Sequence, residues 1–143
     1  DIYPARVDLR PPLTLLLEEG VGYGQPLVTT SAAQAFGFLA GAPLDPTRGH
    51  LVLELSDCRS DPGAGLSVAI ASADATSKVV YLDGLVPDLT LVATSESGQV
   101  AVLNVPVGAT TITGKDSDGR PFGSLELEVR AGVLVYARLV PTP

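Results

Sequence analysis

The chain of 143 residues contains 9 basic and 16 acidic residues, which give a formal net charge of −7. A surface of this sign repels phosphate backbones, so nucleic acid is not expected as a partner. One cysteine, Cys58, excludes an internal disulfide framework, and the length suits one main domain with an appendage that buries a hydrophobic core.

The N-terminal third differs from the rest of the chain. Ile2 to Leu17 alternates apolar and polar residues and is interrupted by prolines, which predicts an extended arm. A capping box at Ser31-Ala-Ala-Gln34, the apolar run Ala32 to Ala40 and the stop at Gly41 predict one short helix. We therefore expect residues 1–48 to form an arm and a helix that pack on, or link to, the following domain.

Residues 49–143 consist of short runs of alternating apolar residues separated by glycine, proline and aspartate, a pattern typical of a β-sandwich. In the run from His50 to Ser56 every odd position is leucine, so these leucines share one face and are expected to point inward. Further strands are predicted at Leu66–Ile70, Val79–Leu82, Thr90–Thr94, Val100–Val105 and Thr110–Thr113. The last two are expected to form a hairpin around the corner Pro106-Val107-Gly108.

The final predicted element is a hairpin over Ser124 to Val140 with a three-residue loop that ends at Gly132. This loop length pairs apolar with apolar residues; the expected pairs are Val129 with Val133, Leu127 with Val135, and Leu125 with Ala137. The opposite face then places Glu126 beside Tyr136 and Glu128 beside Leu134. Because Leu134 and Tyr136 are not solvent-facing types, we expect something to cover that face: the chain's own N-terminal segment, a neighbouring domain or another copy.

The stretch TSESGQVAVLNVPVGATTITG, residues 94–114, resembles the signature of carboxypeptidase regulatory-like, or transthyretin-like, β-sandwich domains. The matching positions are Thr94, Gly98, Val100, Val102, Asn104, Pro106, Gly108, Thr110 and Ile112. The resemblance extends over residues 49–143 and implies a seven-stranded Greek-key β-sandwich of the all-β class, preceded by the arm and the helix. Such domains occur in exported bacterial lipoproteins and surface proteins, which implies an extracytoplasmic location.

Few residues suggest catalysis. His50 and Cys58 are each unique in the chain, but on one continuous strand they would lie ~26 Å apart at ~3.3 Å per residue, too far for a catalytic pair. The sequence around Ser67, Gly-Leu-Ser-Val-Ala, lacks the second glycine of a nucleophile elbow. Glu126 and Glu128 share one strand face, a pattern more typical of a solvated surface than of a carboxylate pair. We expect no catalytic residues and no enzyme activity.

Metal and crosslink sites are also not expected. Asp116-Ser-Asp118-Gly119 is similar to the start of a calcium loop, but the further oxygen ligands and the terminal glutamate are missing, so a turn is expected and weak calcium binding stays open. One histidine and one cysteine provide no zinc cluster. Some adhesins that the resemblance includes join a lysine to an asparagine of the closing strand, whereas Asn104 lies at the proline-glycine corner. No cofactor is expected.

These observations favour a non-catalytic, extracytoplasmic structural or protein-interaction module, secreted or on the cell surface. It would bind a protein partner or assemble with itself through its N-terminal arm or its sheet edges. The alternative is an accessory carbohydrate-binding or enzyme-associated domain, although the four tyrosines are scattered and form no aromatic platform. The chain starts at Asp1 and lacks methionine, so we expect a processed product or a fragment, with membrane contact only through an anchor outside it.

Overall fold

The computed structural model describes residues 5–7, 29–57, 59 and 61–141. One helix, α1, spans Thr30–Leu39, and the side chain of Thr29 caps it by accepting a hydrogen bond from the Ala32 N–H at 3.2 Å. The helix thus begins before the predicted capping box at Ser31, because Thr29 already satisfies the free N–H group of the first turn. It ends where Gly41 adopts a φ of 66°, as the predicted stop requires.

Nine strands are present in the described residues. Their bounds are β1 Ala5–Val7, β2 Gly49–Leu55, β3 Ser67–Ile70, β4 Lys78–Asp83, β5 Val86–Pro87, β6 Gln99–Val105, β7 Gly108–Lys115, β8 Pro121–Val129 and β9 Leu134–Leu139. They form a six-stranded sheet of order β1-β9-β2-β6-β4-β5 and a three-stranded sheet of order β3-β7-β8. From Gly49 onward there are eight strands, so the predicted number of seven is wrong.

The two sheets and the helix form three layers with two cores. Leu51, Leu53 and Leu55 point into the space between the sheets, as their spacing predicts, and all three are fully buried. The other face of the large sheet carries Val52, which packs in a second cluster with helix residues such as Ala33. The central strand β2 is therefore buried on both faces.

The helix and the loop after it cover the outer face of the large sheet. We call residues 29–48 the helical cover. Its buried alanines, Ala33, Ala40 and Ala42, and the partly buried Phe36 and Leu44 pack against outward-pointing side chains of four strands, β2, β4, β6 and β9. These side chains are Val52, Val80, Leu82, Ala101, Leu103, Leu134 and Tyr136. The face for which the sequence required a cover is thus covered, at least in part, by the chain itself.

The predicted strand Thr90–Thr94 is wrong, because that segment is a loop. Asp88 accepts hydrogen bonds from the Thr90 N–H at 2.8 Å and from the Thr90 hydroxyl at 2.6 Å, and this local turn competes with a strand. At the other end of the segment, the buried Thr94 hydroxyl donates to the Gly63 carbonyl at 2.6 Å and accepts from the Leu66 N–H at 2.9 Å. The segment joins turns and does not lengthen a sheet.

The predicted hairpin around Pro106 is also wrong, since β6 and β7 belong to different sheets. Both edges of β6 are occupied, by β2 on one side and β4 on the other, so β7 cannot pair with it. The corner carries the chain from the large sheet to the small one, and Gly108 provides the positive φ, 126°, that this change of direction requires.

The predicted hairpin from Ser124 to Val140 is wrong for the same reason. β8 pairs antiparallel with β7, whereas β9 crosses to the large sheet and pairs in parallel with β2, with His50 opposite Leu134. The expected cross-strand pairs, Val129 with Val133, Leu127 with Val135 and Leu125 with Ala137, therefore do not form. Gly132 has a positive φ of 63°, as the last residue of a three-residue hairpin loop would, but its N–H donates to the Arg48 carbonyl at 2.8 Å and holds the crossover against the helical cover.

Candidate functional site

A β-bulge at one end of the large sheet brings His50 against Asn104. Gly49 pairs with Val105 and Leu51 with Val102, so the single residue His50 faces two residues of β6. Asn104, one of these two, has a left-handed φ of 57°, a conformation that asparagine tolerates better than most residues. The bulge directs the Asn104 N–H at the ring of His50, and the Nδ1 atom accepts it at 3.1 Å.

The side chain of Asn104 binds the helical cover. Its Oδ1 accepts a hydrogen bond from the Asp45 N–H at 2.9 Å, and its Nδ2 donates to the Pro43 carbonyl at 3.0 Å. The Asn104 amide thus provides hydrogen-bond partners for two backbone groups of a loop that is not paired to a strand. The two side-chain partners described for Asn104 are backbone groups of the cover, the Asp45 N–H and the Pro43 carbonyl.

The carbonyl of Asn104 completes the network. It accepts from Arg48 Nη1 at 2.9 Å and from the Ser77 hydroxyl at 3.0 Å. Arg48 in turn forms a two-pronged ion pair with Asp74, with N–O distances of 2.9 and 3.0 Å. We call this set the Asn104 network; its members are Pro43, Asp45, Arg48, His50, Asp74, Ser77 and Asn104. It joins the cover to strands β2 and β6 and to the loop before β4.

The electrostatics of the network follow from burial and pairing. Removal from water lowers the pKa of the fully buried His50 to about 4, and the nearby Asp45 opposes this shift only in part. Hydrogen bonds from Arg48 and then from Thr76 hold the pKa of Asp74 far below its usual range. The Thr47 hydroxyl and N–H similarly lower the pKa of Asp45. At neutral pH the network therefore holds a neutral imidazole and ionised carboxylates.

The described residues that were considered for catalysis lie on three different strands, β2, β3 and β8. Cys58 lies outside the described residues, and His50 is fully buried and engaged with Asn104. Ser67 lies at the start of β3, and the exposed residues Glu126 and Glu128 lie on the outer face of β8. Glu126 is therefore not beside Tyr136, which packs under the helix in the other sheet.

The Asp116 segment forms a turn. The Asp116 carboxylate accepts hydrogen bonds from the Asp118 N–H at 2.9 Å and the Arg120 N–H at 2.8 Å, and Arg120 lies 3.4 Å from the Asp118 carboxylate. Among the residues that the structure describes, no group of three or more histidine, cysteine, aspartate or glutamate side chains could hold a metal ion. In the same part of the chain no helix is long and apolar enough to cross a membrane.

The opposite end of the large sheet exposes aliphatic side chains. β4 turns at Gly84 into the two-residue edge strand β5, and the chain continues into the loop that ends before Thr94. We call residues 85–92 the edge loop. Within it four aliphatic side chains are between 59% and 87% exposed: Leu85, Val86, Leu89 and Val92. Such a concentration on one sheet edge is typical of a contact surface.

Sequence analysis missed both the Asn104 network and the edge loop. One signal was present: Asp45, Asp74 and Asp88 are each followed two residues later by threonine. In the structure each of these aspartates accepts both the N–H and the hydroxyl of that threonine. The spacing identifies three side-chain-capped turns, two of which frame the network and one of which lies in the middle of the edge loop.

Comparison with known proteins shows low similarity. No family model matches the chain, and no curated protein matches it. Among solved structures, the chain matches the Bacillus anthracis TIE protein, with 15% identity and a TM-score of 0.40 over 67% of this chain. It also matches BcpA, the major pilin subunit of Bacillus cereus, with 13% identity and a TM-score of 0.38 over 67% of this chain. The chain spans 17% and 31% of the lengths of these two proteins.

Proposed function

We propose that the chain is a non-enzymatic structural module that associates with further copies of itself through the free edge of its large sheet. The observation that carries this proposal is the edge loop, because four aliphatic side chains stand in water within eight residues at the end of a sheet. Most of the surface of these side chains stays in water in the isolated chain. Their burial against another copy removes apolar surface from water.

The expected strength of the association is modest. Complete burial of one leucine or valine contributes roughly 1.5–3 kcal/mol, so four side chains provide on the order of 6–12 kcal/mol before the loss of rotational and translational freedom. Asp83 precedes the edge loop and Asp88 lies within it, and both repel their counterparts on an equally acidic copy. We therefore expect a dissociation constant in the micromolar to millimolar range that falls as salt screens this repulsion.

Sedimentation equilibrium between about 1 µM and 1 mM tests the proposal. The 14.7 kDa chain should show a mass that rises with concentration and with salt. The double variant Leu85→Ser, Val92→Ser should stay monomeric under the same conditions. Val107→Ser is the matched control, since Val107 is 55% exposed at the opposite end of the sheet and should leave the association unchanged. A wild-type mass of one chain throughout would refute self-association.

The N-terminal arm provides a second route to assembly. In the structure β1 extends the large sheet by pairing in parallel with β9, with Ala5 opposite Leu134. The rest of the arm from Ile2 to Leu17 lies outside the described residues. If the same pairing forms between copies, β1 becomes a donated strand. Deletion of residues 1–17 should then abolish association in a protein whose edge loop is intact, whereas association that survives the deletion assigns it to the edge loop.

Finer parts of the proposal concern the family, the domain division and the location. The signature positions from 94 to 114 have demanding structural roles that support a carboxypeptidase regulatory-like module: Thr94 binds a turn, Asn104 forms the bulge, and Gly98 and Gly108 adopt positive φ. We propose that residues 49–143 are this module, with Greek-key connections, and that residues 1–48 are its appendage. We further propose that it works outside the cytoplasm, on a bacterial surface, with a protein partner.

A further inference from the structure

His50 is placed so that only its neutral form fits. Its Nδ1 atom accepts the Asn104 N–H at 3.1 Å, so Nδ1 carries no proton and the ring hydrogen is on Nε2. The side chain is fully buried between β2, β6 and the helical cover. A proton added to Nδ1 would place two N–H groups against each other and a positive charge inside the protein.

The described elements around His50 carry both acidic and basic side chains. Asp45 on the loop of the cover favours the charged ring, but its carboxylate is already bound by Thr47. The other charged side chains on the described neighbouring elements are Arg48, which is paired with Asp74, Glu54 of β2 and Arg138 of β9, which are paired with each other, and Lys78 and Asp83 of β4. Burial is the larger influence on the pKa of His50, and the Asp45 carboxylate opposes it only in part.

The bond to His50 is next to the bonds that hold the cover. The same Asn104 residue that donates to the ring binds the Asp45 N–H and the Pro43 carbonyl through its side chain. If the bulge shifts to move the Asn104 N–H away from a protonated His50 ring, the Asn104 side chain, which anchors the loop before β2, moves with it. Beneath the cover lie apolar side chains of the large sheet, including Val52, Leu103 and Tyr136.

We propose that His50 and Asn104 form a proton-operated latch, which holds the helical cover on the large sheet at neutral pH and releases it in mild acid. Release exposes the apolar outer face of the sheet while the core between the two sheets stays closed. The inference concerns the outer face of the large sheet and does not depend on self-association through the edge loop.

The sign and the pH window follow from the two states of the imidazole. In the closed state burial lowers the pKa of His50 to about 4, whereas in the open state an exposed ring has its ordinary pKa of 6.5. Between these values the open state binds more protons, so the closed state loses stability as the pH falls from about 6.5 to about 4. The carboxylates of Asp45 and Asp74 have lowered pKa values, so their contributions are lost only at lower pH.

Amide hydrogen exchange measured by NMR at pH 7, 6 and 5 tests the latch on the full chain. Protection factors, which correct for the intrinsic pH dependence of exchange, should fall about 20-fold between pH 7 and pH 5 at the Asp45 and Asn104 amides. The Ile112 amide in the small sheet should keep its protection. Since His50 is the one histidine of the chain, its ring signal can be assigned directly and should titrate well below 6.5.

Two variants separate protonation from simple weakening. His50→Asn offers an acceptor near the position of Nδ1 and does not titrate, so the pH dependence of the Asp45 amide between 7 and 5 should disappear even if the variant opens more often at pH 7. Asn104→Gly keeps His50 and removes the side-chain bonds, so its opening should increase at every pH with the wild-type pH dependence retained; this is read at the backbone amide of position 104, since the Asp45 amide loses its acceptor. If His50→Asn does not fold, the wild-type measurement decides alone.

Three results would overturn the latch. Unchanged protection of Asp45 and Asn104 between pH 7 and pH 5 would show that protonation does not open it. A parallel loss at Ile112 would show global unfolding and no separate release of the cover. A His50 ring signal that titrates near 6.5 in the folded protein would show that the charged ring is accommodated without opening.

Discussion

Replacement of Asn104 tests whether the bulge and its side-chain bonds stabilise the fold as the structure indicates. Asn104→Gly accepts the φ of 57° but loses the bonds to Asp45 and Pro43. Two bonds of about 1 kcal/mol each, plus about 0.5–1 kcal/mol for the greater freedom of glycine in the unfolded chain, give a loss of about 2.5–3 kcal/mol. Asn104→Ala loses the same bonds and adds about 1–2 kcal/mol of left-handed strain, for a total of about 3–4 kcal/mol.

Urea unfolding at pH 7, followed by far-ultraviolet circular dichroism, measures both changes. The chain has no tryptophan, so the backbone signal is the appropriate probe. The dependence of the unfolding free energy on urea should stay at the wild-type value, since both variants expose the same surface on unfolding. Alanine that is less destabilising than glycine would contradict the assigned backbone conformation. A loss below about 0.5 kcal/mol in both variants would refute the energetic role of the two bonds.

Two further predictions concern packing. Leu53→Ala creates a cavity at a fully buried position between the sheets and should lower the free energy of unfolding by about 2–5 kcal/mol. Leu89→Ala, at a position that is 59% exposed, should change this free energy by less than about 0.5 kcal/mol. Similar losses for the two variants in chemical denaturation would contradict the assigned core. Gly114→Ala places a Cβ atom 2.5 Å from Phe122 Cζ and should cost about 1–3 kcal/mol, while Thr113→Ala on the opposite face should cost less in the same thermal melts, and the reverse order would exclude this close packing.

Local features of the fold could be predicted from the sequence because short-range physics determines them. The helix follows from an apolar run with a stop at Gly41, and the inward face of β2 follows from leucine at every second position. Gly108 and Gly132 were placed at turns, and both have a positive φ, which glycine adopts more readily than other residues. Each of these conclusions needs only the residues within one element.

The functional features could not be predicted because they combine distant segments. Asn104 lies 61 residues from Pro43 and 54 residues from His50, and neither distance leaves a pattern in the sequence. The exposed state of the edge loop was missed because Leu89 and Val92 belong to an apolar run that also suits a strand. Asp88 with its bound Thr90 decides in favour of a loop, and that preference outweighs the β propensity of the residues after it.

The predicted pairing of β8 with β9 was wrong because it was based only on which side chains share a face of each strand. Leu127 of β8 and Val135 of β9 do point into the same core, as the predicted pair requires, but they face each other from opposite sheets. The alternation of side chains shows only which residues of two strands point into the same core. Two strands that are hydrogen-bonded neighbours in one sheet and two strands that face each other across a sandwich both meet this condition. The deciding fact was already visible in Leu134 and Tyr136: a strand that is apolar on both faces belongs in a covered sheet, whereas β8, with Glu126 and Glu128 outside, belongs in an open one.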